Sequence, residues 1–223
     1  MELKVIARIQ SDFPTKFGLP RQSGMSPLES VIVFEKEYGR EEALRGLSEF
    51  EYIWLIWGFD RFENSKWSPT VRPPRLGGNK RVGVFATRSP NRPNALALSS
   101  VKIVSINENG TITVSGADIA DGSPIYDIKP YLPFTDSHPN AKAGFSEQGL
   151  NHKLTVDIND STFCKEFPKE KLSGLIKILE LDPRPSYQND DRIYGFEFAE
   201  FEVKFSVSGQ VLKLISVEIN TIN

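Results

Sequence analysis

Short strand-like segments separated by turn residues dominate the first two thirds of this chain, and they restrict its fold to a mainly β architecture. Leu3–Gln10 alternates apolar and polar side chains, which is typical of a half-buried strand. The segments 96–106 and 111–117 flank Asn109-Gly110, a dipeptide favoured in hairpin turns. Many short strands with few helices predict an all-β barrel or sandwich core.

Four further strands are predicted between residues 30 and 128: Ser30–Phe34, Phe50–Phe59, Arg81–Thr87 and Ile125–Ile128. The second of these is apolar or aromatic at nearly every position, so we expect it to be buried on both faces. Its aromatic residues Trp54, Trp57 and Phe59 are therefore expected in the core. A short helix is expected between Tyr38 and Leu47.

A change in composition near residues 139–149 indicates a boundary between two domains, residues 1–145 and residues 146–223. The second domain combines a strand at Leu154–Ile158 with a helix that begins near Pro168 and stops at Asp182-Pro183. Two more strands, Ile193–Ser206 and Val211–Ile219, complete a small α+β unit. Because about 75 residues bury only a small core, we expect this unit to pack on the first domain.

One segment is reserved for positive charge, although the chain as a whole has a formal net charge of -2. From Asn64 to Asn107 there are eight cations and no carboxylate, whereas 29 acids in 223 residues would place about six in such a stretch. Five of the eight cations are arginines, which suit bidentate recognition of phosphate. We expect this surface to bind a shaped RNA or a phosphorylated small molecule.

The rest of the composition argues against several classes of protein. No apolar run approaches the roughly 18 residues of a membrane span, and residues 1–5 lack the pattern of a signal peptide. With one cysteine (Cys164) and two histidines (His138 and His152), an internal disulfide is impossible and a multi-histidine zinc site is not expected. Dinucleotide-binding, P-loop and serine-hydrolase motifs are absent from the sequence. We expect a cytoplasmic protein that uses neither a membrane nor a metal.

Three motifs are more specific than packing requires. Residues 72–94 combine paired prolines and glycines with six cations; residues 118–131 place three carboxylates, a lysine and two tyrosines around a strand; residues 182–187 read Asp-Pro-Arg-Pro-Ser-Tyr. Together with Pro20-Arg21-Gln22, this pattern resembles the TsaA-like, or TrmO-type, family of tRNA methyltransferases. Members of that family methylate N6 of threonylcarbamoyladenosine at position 37 of tRNA, and they use S-adenosylmethionine as the methyl donor.

The resemblance implies a small β-barrel that binds S-adenosylmethionine without a Rossmann fold, followed by the α+β unit. It also implies a homodimer in which the cofactor lies near the subunit contact. The residues implied in cofactor binding are Pro20, Arg21, Gln22, Asp60, Arg61, Arg88, Leu98, Asp118 and Ile119. The cations expected to hold the anticodon arm of the tRNA are Arg72, Arg75, Lys80, Arg81 and Arg92.

The functional groups of the cofactor give some of these residues specific roles. Arg88 and Arg21 suit its carboxylate, because guanidinium groups form paired hydrogen bonds with carboxylates. Asp118 suits its ammonium group or its ribose. Outside the cofactor site, Trp67 is the better candidate for stacking on an unpaired base.

Removal of a proton from the substrate calls for a general base. N6 of threonylcarbamoyladenosine belongs to a urea-like group with a delocalised lone pair, so a base that takes its proton would help the reaction. We expect Asp121 or Asp127 to be this base, with Lys129 and Tyr131 placing the substrate.

Two other functions stay open at this point. A methyltransferase of the same fold could act on another acceptor, such as a small molecule, and a non-catalytic RNA-binding β-barrel would bind tRNA without the cofactor. The acid-free segment favours RNA over a small acceptor, and the carboxylates of residues 118–131 favour catalysis over binding alone. Arg184 and Tyr187 either dock the C-terminal unit or contact the substrate.

Overall fold

The computed structural model describes residues 2–60, 67–73, 76, 78–147, 152–159, 162–184 and 192–220. The first part of the chain is mainly β, as predicted. Its strands are β1 (Ala7–Gln10), β2 (Glu29–Phe34), β3 (Tyr52–Gly58), β4 (Thr70–Val71), β5 (Val82–Gly83), β6 (Leu96–Ile106), β7 (Ile112–Ser115) and β8 (Pro124–Pro130). Two single-turn helices, α1 (Glu41–Leu44) and α2 (Pro133–Asp136), follow β2 and β8.

Six of these strands pair in a closed ring, in the order β1-β2-β7-β6-β3-β8, and each pair is antiparallel. The inner face is filled by fully buried branched side chains, among them Ile9, Ile32, Leu55 and Ile125. Each such side chain contributes about 1.5–3 kcal/mol on burial, so the inner face holds the ring together. Strands β4 and β5 form a separate two-stranded sheet.

Strand β3 has one face in the core and one face outside the ring. Ile53 and Leu55 point inward and are fully buried, whereas Trp54 and Ile56 are only partly buried on the outer face. Trp57 lies in the core, as expected. The expectation that β3 is buried on both faces was wrong, because a sheet that closes on itself encloses only its inner face.

The C-terminal part is an α+β unit with its own core. Its elements are β9 (Thr155–Asp157), α3 (Lys169–Glu180), β10 (Tyr194–Phe198), β11 (Phe201–Ser208) and β12 (Val211–Ile219), and the sheet order is β10-β11-β12-β9. The single strand predicted over Ile193–Ser206 is two strands joined at Ala199, which adopts φ 51°. The apolar alternation changes phase at this tight turn, from Tyr194, Phe196 and Phe198 to Phe201, Val203 and Phe205, and the sequence interpretation missed that signal.

The segment between β1 and β2, residues 11–28, joins the two parts of the molecule. Phe13 is buried in the core of the C-terminal unit, and Phe17, Leu19 and Leu28 pack against that core. Asp12 adds an ion pair with Lys171 of α3 at 2.5 Å. The C-terminal unit therefore determines the path of a loop that begins and ends in the ring.

Other element bounds follow the sequence prediction to different degrees. Strand β6 spans Leu96–Ile106 as predicted, and Gly110 in the hairpin turn adopts φ 78°, a conformation that favours glycine. Strand β1 begins at Ala7, later than expected, and Arg81–Thr87 contains only the short strand β5 and a 3-10 turn at Val84–Ala86. Within the described ranges, no helix is long and apolar enough to cross a membrane.

Gly174 provides a test of how tightly segment 11–28 is packed on α3. A Cβ atom at Gly174 would lie 2.3 Å from Cδ2 and 2.4 Å from Cγ of Leu28. We expect Gly174→Ala to lower the free energy of unfolding by about 1–3 kcal/mol through overpacking, despite the higher helix propensity of alanine. Thermal unfolding measures the effect. The exposed neighbour Ser173 is the matched control, since Ser173→Ala adds no clash; equal melting temperatures for the two variants would contradict the packing.

Candidate active site

A cavity of about 640 Å³ lies where segment 11–28 meets the outer face of β3 and β6. Seven of the nine residues implied in cofactor binding line it: Pro20, Arg21, Gln22, Asp60, Arg88, Leu98 and Asp118. Ile119 is fully buried in the core of the ring and does not line the cavity. Arg61 lies outside the described residues. The fold thus brings together chain segments that are far apart in the sequence.

A buried hydrogen-bond chain leads to the carboxylate of Asp118. The indole nitrogen of Trp57 donates to Oγ of Ser99 at 3.0 Å, and Ser99 Oγ donates to Oδ1 of Asp118 at 2.6 Å. Burial raises the pKa of Asp118 above its ordinary value, although the Ser99 hydroxyl, the backbone N–H of Ser23 and the charge of Arg88 oppose the rise. Ionised Asp118 is therefore a partly desolvated anion that a cationic ligand would stabilise.

Two arginines and a glutamine form the polar side of the cavity. Nη1 of Arg88 donates to Oε1 of Gln22, and Nε2 of Gln22 donates to the carbonyl oxygen of Arg21. Nη2 of Arg21 donates to the carbonyl oxygen of Asp182, at 2.9 Å, in the C-terminal unit. These contacts place two guanidinium groups at one cavity, an arrangement suited to a carboxylate or a phosphate.

An aromatic wall faces this polar side. Trp54, Trp57 and Phe59 line the cavity, and the rings of Trp57 and Phe59 lie 4.6 Å apart. The sequence interpretation assigned all three to the core, and it missed Trp54 because the uniformly apolar run hid the alternation of the strand. A period of two counted from buried Ile53 would have placed Trp54 on the outer face. It also missed Ser99, whose role depends on a partner 19 residues away.

Three of the four predicted catalytic residues lie beside the cavity. Asp127 and Lys129 are paired with Ile56 and Trp54 in the register of β8 with β3, so they share the outer face with two lining residues. Nζ of Lys129 lies 2.8 Å from Oδ2 of Asp127. The ring of Tyr131 lies 5.3 Å from that of Trp54.

Asp121 has different surroundings. Its Oδ1 accepts a hydrogen bond from the backbone N–H of Ser11 at 3.0 Å. It lines a second cavity of about 420 Å³, together with Lys171 and Glu200 of the C-terminal unit. Of the two carboxylates considered for the general base, Asp121 therefore lines the second cavity, whereas Asp127 lies beside the first.

The predicted RNA-binding cations lie near the mouth of the first cavity and on the small β4–β5 sheet. Arg72, Lys80 and Arg81 are exposed, and Arg81 donates to Oγ1 of Thr70 at 2.8 Å. Arg92 lines the cavity and donates to the carbonyl oxygen of Thr87 at 2.8 Å. None of these four cations forms an ion pair with a carboxylate in the described part of the chain. Arg75 lies outside that part, and Trp67 is 53% exposed.

Comparison with known proteins places this chain in a class of tRNA-modifying methyltransferases. The profile of the tRNA-methyltransferase O N-terminal domain matches residues 8–137, and that of the TrmO C-terminal domain matches residues 152–220. The chain belongs to the tRNA-methyltransferase O family. Groups of three or more potential metal ligands are absent from the described residues.

Individual relatives match along most of their length. The chain is 32% identical to the tRNA (adenine(37)-N6)-methyltransferase of Escherichia coli, with 97% of each chain covered. It is 34% identical to a Pseudomonas aeruginosa protein provisionally named as the S-adenosylmethionine-dependent methyltransferase RcsF, with 89% of each covered. The crystal structure of TrmO from Pseudomonas superposes with a TM-score of 0.77 at 25% identity, over 99% of this chain and 97% of that one.

Replacement of Asp118 should have opposite effects on the stability of the protein and on its affinity for the ligand. Since burial raises its pKa, the free energy of unfolding decreases as the pH rises from the ordinary carboxyl pKa through the raised one, and it stays lower above that range. We expect Asp118→Asn to melt at the same or a higher temperature at neutral pH. Its affinity for S-adenosylmethionine should fall at least tenfold, because a hydrogen bond to a charged group contributes about 1.5–3 kcal/mol.

Asp136 is the control, because its pKa is shifted in the opposite direction from that of Asp118. The backbone N–H of Leu132 and the indole N–H of Trp54 lower its pKa, so its contribution to stability is present at neutral pH and is lost as the pH falls. Asp136→Asn should therefore melt at a lower temperature at neutral pH. Thermal unfolding and calorimetric titration measure both variants, and unchanged cofactor affinity in Asp118→Asn would remove Asp118 from the site.

Proposed function

We propose that this chain transfers the methyl group of S-adenosylmethionine to N6 of adenosine 37 of tRNA, and that this adenosine already carries a threonylcarbamoyl group. The observation that carries the proposal is the convergence of Arg21, Arg88, Asp118 and an aromatic wall on one cavity. The family membership of the chain supports the same chemistry. Its relatives in Escherichia coli and Eikenella corrodens are named tRNA (adenine(37)-N6)-methyltransferases.

The cavity has the size and the polar groups that the cofactor requires. Its volume of about 640 Å³ lies within the range of pockets that bind small molecules. Arg88 and Arg21 suit the carboxylate, and Asp118 suits the ammonium group or the ribose. The aromatic wall suits a sulfonium cation. When bound, S-adenosylmethionine supplies an electrophilic methyl group on a positively charged sulfur.

Asp127 is the general base in this proposal. Methylation forms a bond between N6 and the methyl carbon, breaks the bond between that carbon and sulfur, and leaves a proton on N6 that has to depart. Asp127 lies on the outer face beside the cavity, whereas Asp121 lies at the second cavity. Lys129 forms an ion pair with Asp127, and together with Tyr131 it places the substrate.

The cations around the cavity hold the tRNA. Arg72, Lys80, Arg81 and Arg92 lie on one stretch of chain without described carboxylate partners, so they are available to the phosphates of the anticodon arm. Arg75 belongs to the same proposed set. Contacts of this kind weaken steeply with salt, and they position the RNA without reading its sequence.

The proposed assembly extends the expectations from the sequence. The closed ring is the small β-barrel of the family, and residues 1–145 and 146–223 are its two domains. The active form is a cytoplasmic homodimer. Large exposed apolar side chains near the cavity, Phe85 and Leu98, support a partner subunit that covers them.

Nucleoside mass spectrometry tests the proposed substrate. Purified protein and S-adenosylmethionine are mixed with tRNA that carries or lacks the threonylcarbamoyl group. The tRNA is then digested, and the masses of its nucleosides are measured. We expect a gain of one methyl group confined to the threonylcarbamoyl nucleoside, because N6 of that group is the proposed acceptor. Methylation of unmodified adenosine would contradict the proposed substrate. Cofactor binding without any methylation of tRNA would favour another acceptor, and tRNA binding without the cofactor would favour an RNA-binding module.

Substitution at Asp127 tests the proposed base. We expect Asp127→Asn to lower kcat about 100-fold or more at saturating tRNA and cofactor, the usual scale of general-base catalysis. Its melting temperature should hardly change, since the ion pair with Lys129 is half exposed. Glu51→Gln, which breaks a similarly exposed pair with Lys102, is the matched control. A normal kcat in Asp127→Asn together with a large loss in Asp121→Asn would transfer the role to Asp121.

A further inference from the structure

The turn that follows helix α3 contacts the loop that lines the cofactor cavity. Asp182 lies just beyond the end of α3, where its N–H donates to the carbonyl oxygen of Leu179 at 3.1 Å. It adopts φ 54°, a left-handed conformation that glycine adopts with less strain. An aspartate at this position therefore has to compensate for that strain through the contacts of its side chain.

The carboxylate of Asp182 makes these contacts with Arg184. Nε of Arg184 donates to Oδ1 at 2.8 Å, and Nη2 donates to Oδ2 at 3.0 Å, so the pair is bidentate. Asp182 is 8% exposed and Arg184 is 7% exposed. Burial by itself raises the pKa of Asp182, but the hydrogen bonds from Arg184 and His152 outweigh it and lower the pKa. The two-point geometry makes this turn a rigid element.

The carbonyl oxygens of the same turn face Arg21. Nη2 of Arg21 donates to the carbonyl oxygen of Asp182 at 2.9 Å and approaches that of Arg184 at 3.4 Å. Both acceptors belong to the buried turn, so the position of the Arg21 guanidinium depends on the C-terminal unit. Arg21 lines the cavity, whereas Asp182 and Arg184 do not.

We infer that Asp182 and Arg184 are positioning residues for the methyl-transfer reaction: they hold Arg21 in place for the carboxylate of S-adenosylmethionine. The C-terminal unit thereby sets the affinity for the cofactor from outside the cavity. The physical reason is preorganisation, because an arginine already held in position loses less side-chain freedom when the ligand binds. This inference rests on the proposed function.

The contact between Arg21 and the turn at Asp182 could serve only to dock the C-terminal unit. Such a docking role predicts a different outcome from a positioning role. The ion pair between Asp12 and Lys171 also joins segment 11–28 to the C-terminal unit, and these two residues line the second cavity. Lys171→Met therefore weakens docking without disturbing Arg21. It is the matched control for changes at Arg184.

The experiment is a double-mutant cycle on the full chain, with calorimetric titration of S-adenosylmethionine. We expect Arg184→Lys to raise Kd about tenfold in the wild-type background and less than twofold in the Arg21→Ala background, because the two residues act as a unit. In turnover of Arg184→Lys, KM for the cofactor should rise while kcat at saturating cofactor stays constant.

The control variant Lys171→Met should lower the melting temperature and leave Kd unchanged. Where Arg184→Lys does not fold, Asp182→Asn replaces it in the cycle, since asparagine tolerates the left-handed conformation.

Decarboxylated S-adenosylmethionine gives a second, independent comparison. It lacks the group that Arg21 is proposed to bind, so Arg184→Lys should not change its affinity. An equal loss for both ligands, or an equal effect of Arg184→Lys in both backgrounds, would show a general loosening of the fold and overturn the inference. Wild-type protein that binds the cofactor while Arg184→Lys has no effect would overturn this inference alone. Wild-type protein that binds no cofactor would overturn the proposed function as well.

Discussion

Burial of Phe13 in the core of the C-terminal unit is the contact on which the site depends. Phe13 is 2% exposed, and its ring lies 5.8 Å from that of Phe198 in an edge-to-face arrangement. It anchors a loop that leaves β1 and returns to β2, and loops of this length seldom keep one conformation without such support. With the loop fixed, Pro20, Arg21 and Gln22 lie against the outer face of β3 and β6. The C-terminal unit thus acts on the cavity through a segment of the first unit.

The ring provides the rigid surface against which this loop closes. Its inner face is filled, and the cavity lies on the outer face of β3 and β6 and on the loops beside them. Ser99 and Trp57 connect the two faces, since their hydrogen bonds run from the core to the carboxylate of Asp118. A partly buried acid with a raised pKa lowers stability, and such a local cost is expected at a binding site.

Local patterns in the sequence predicted most of the strands, the hairpin at Gly110 and helix α3, and the family resemblance supplied seven of the residues that line the cavity. Two failures concern signals that were present in the local sequence, and the others involve contacts between distant segments. The outward position of Trp54 follows a period of two counted from buried Ile53, and the break at Ala199 coincides with a change of phase in the apolar alternation. The separation of Asp121 from Asp127 depends on which strands are neighbours. Neither this separation nor the hydrogen bond from Ser99 to Asp118 is encoded in the spacing of residues along a single segment.

The cavity is lined by residues near positions 20, 56, 88, 98 and 118, and Arg21 on its polar side donates a hydrogen bond to the carbonyl oxygen of Asp182. These segments meet only after pairings of high sequence separation have formed, and such pairings are the slow part of folding. The partly folded chain therefore has no competent cavity, even when individual strands or helix α3 are present. Ligand capture is coupled to completion of both folding units, and a bound ligand stabilises the finished molecule by mass action.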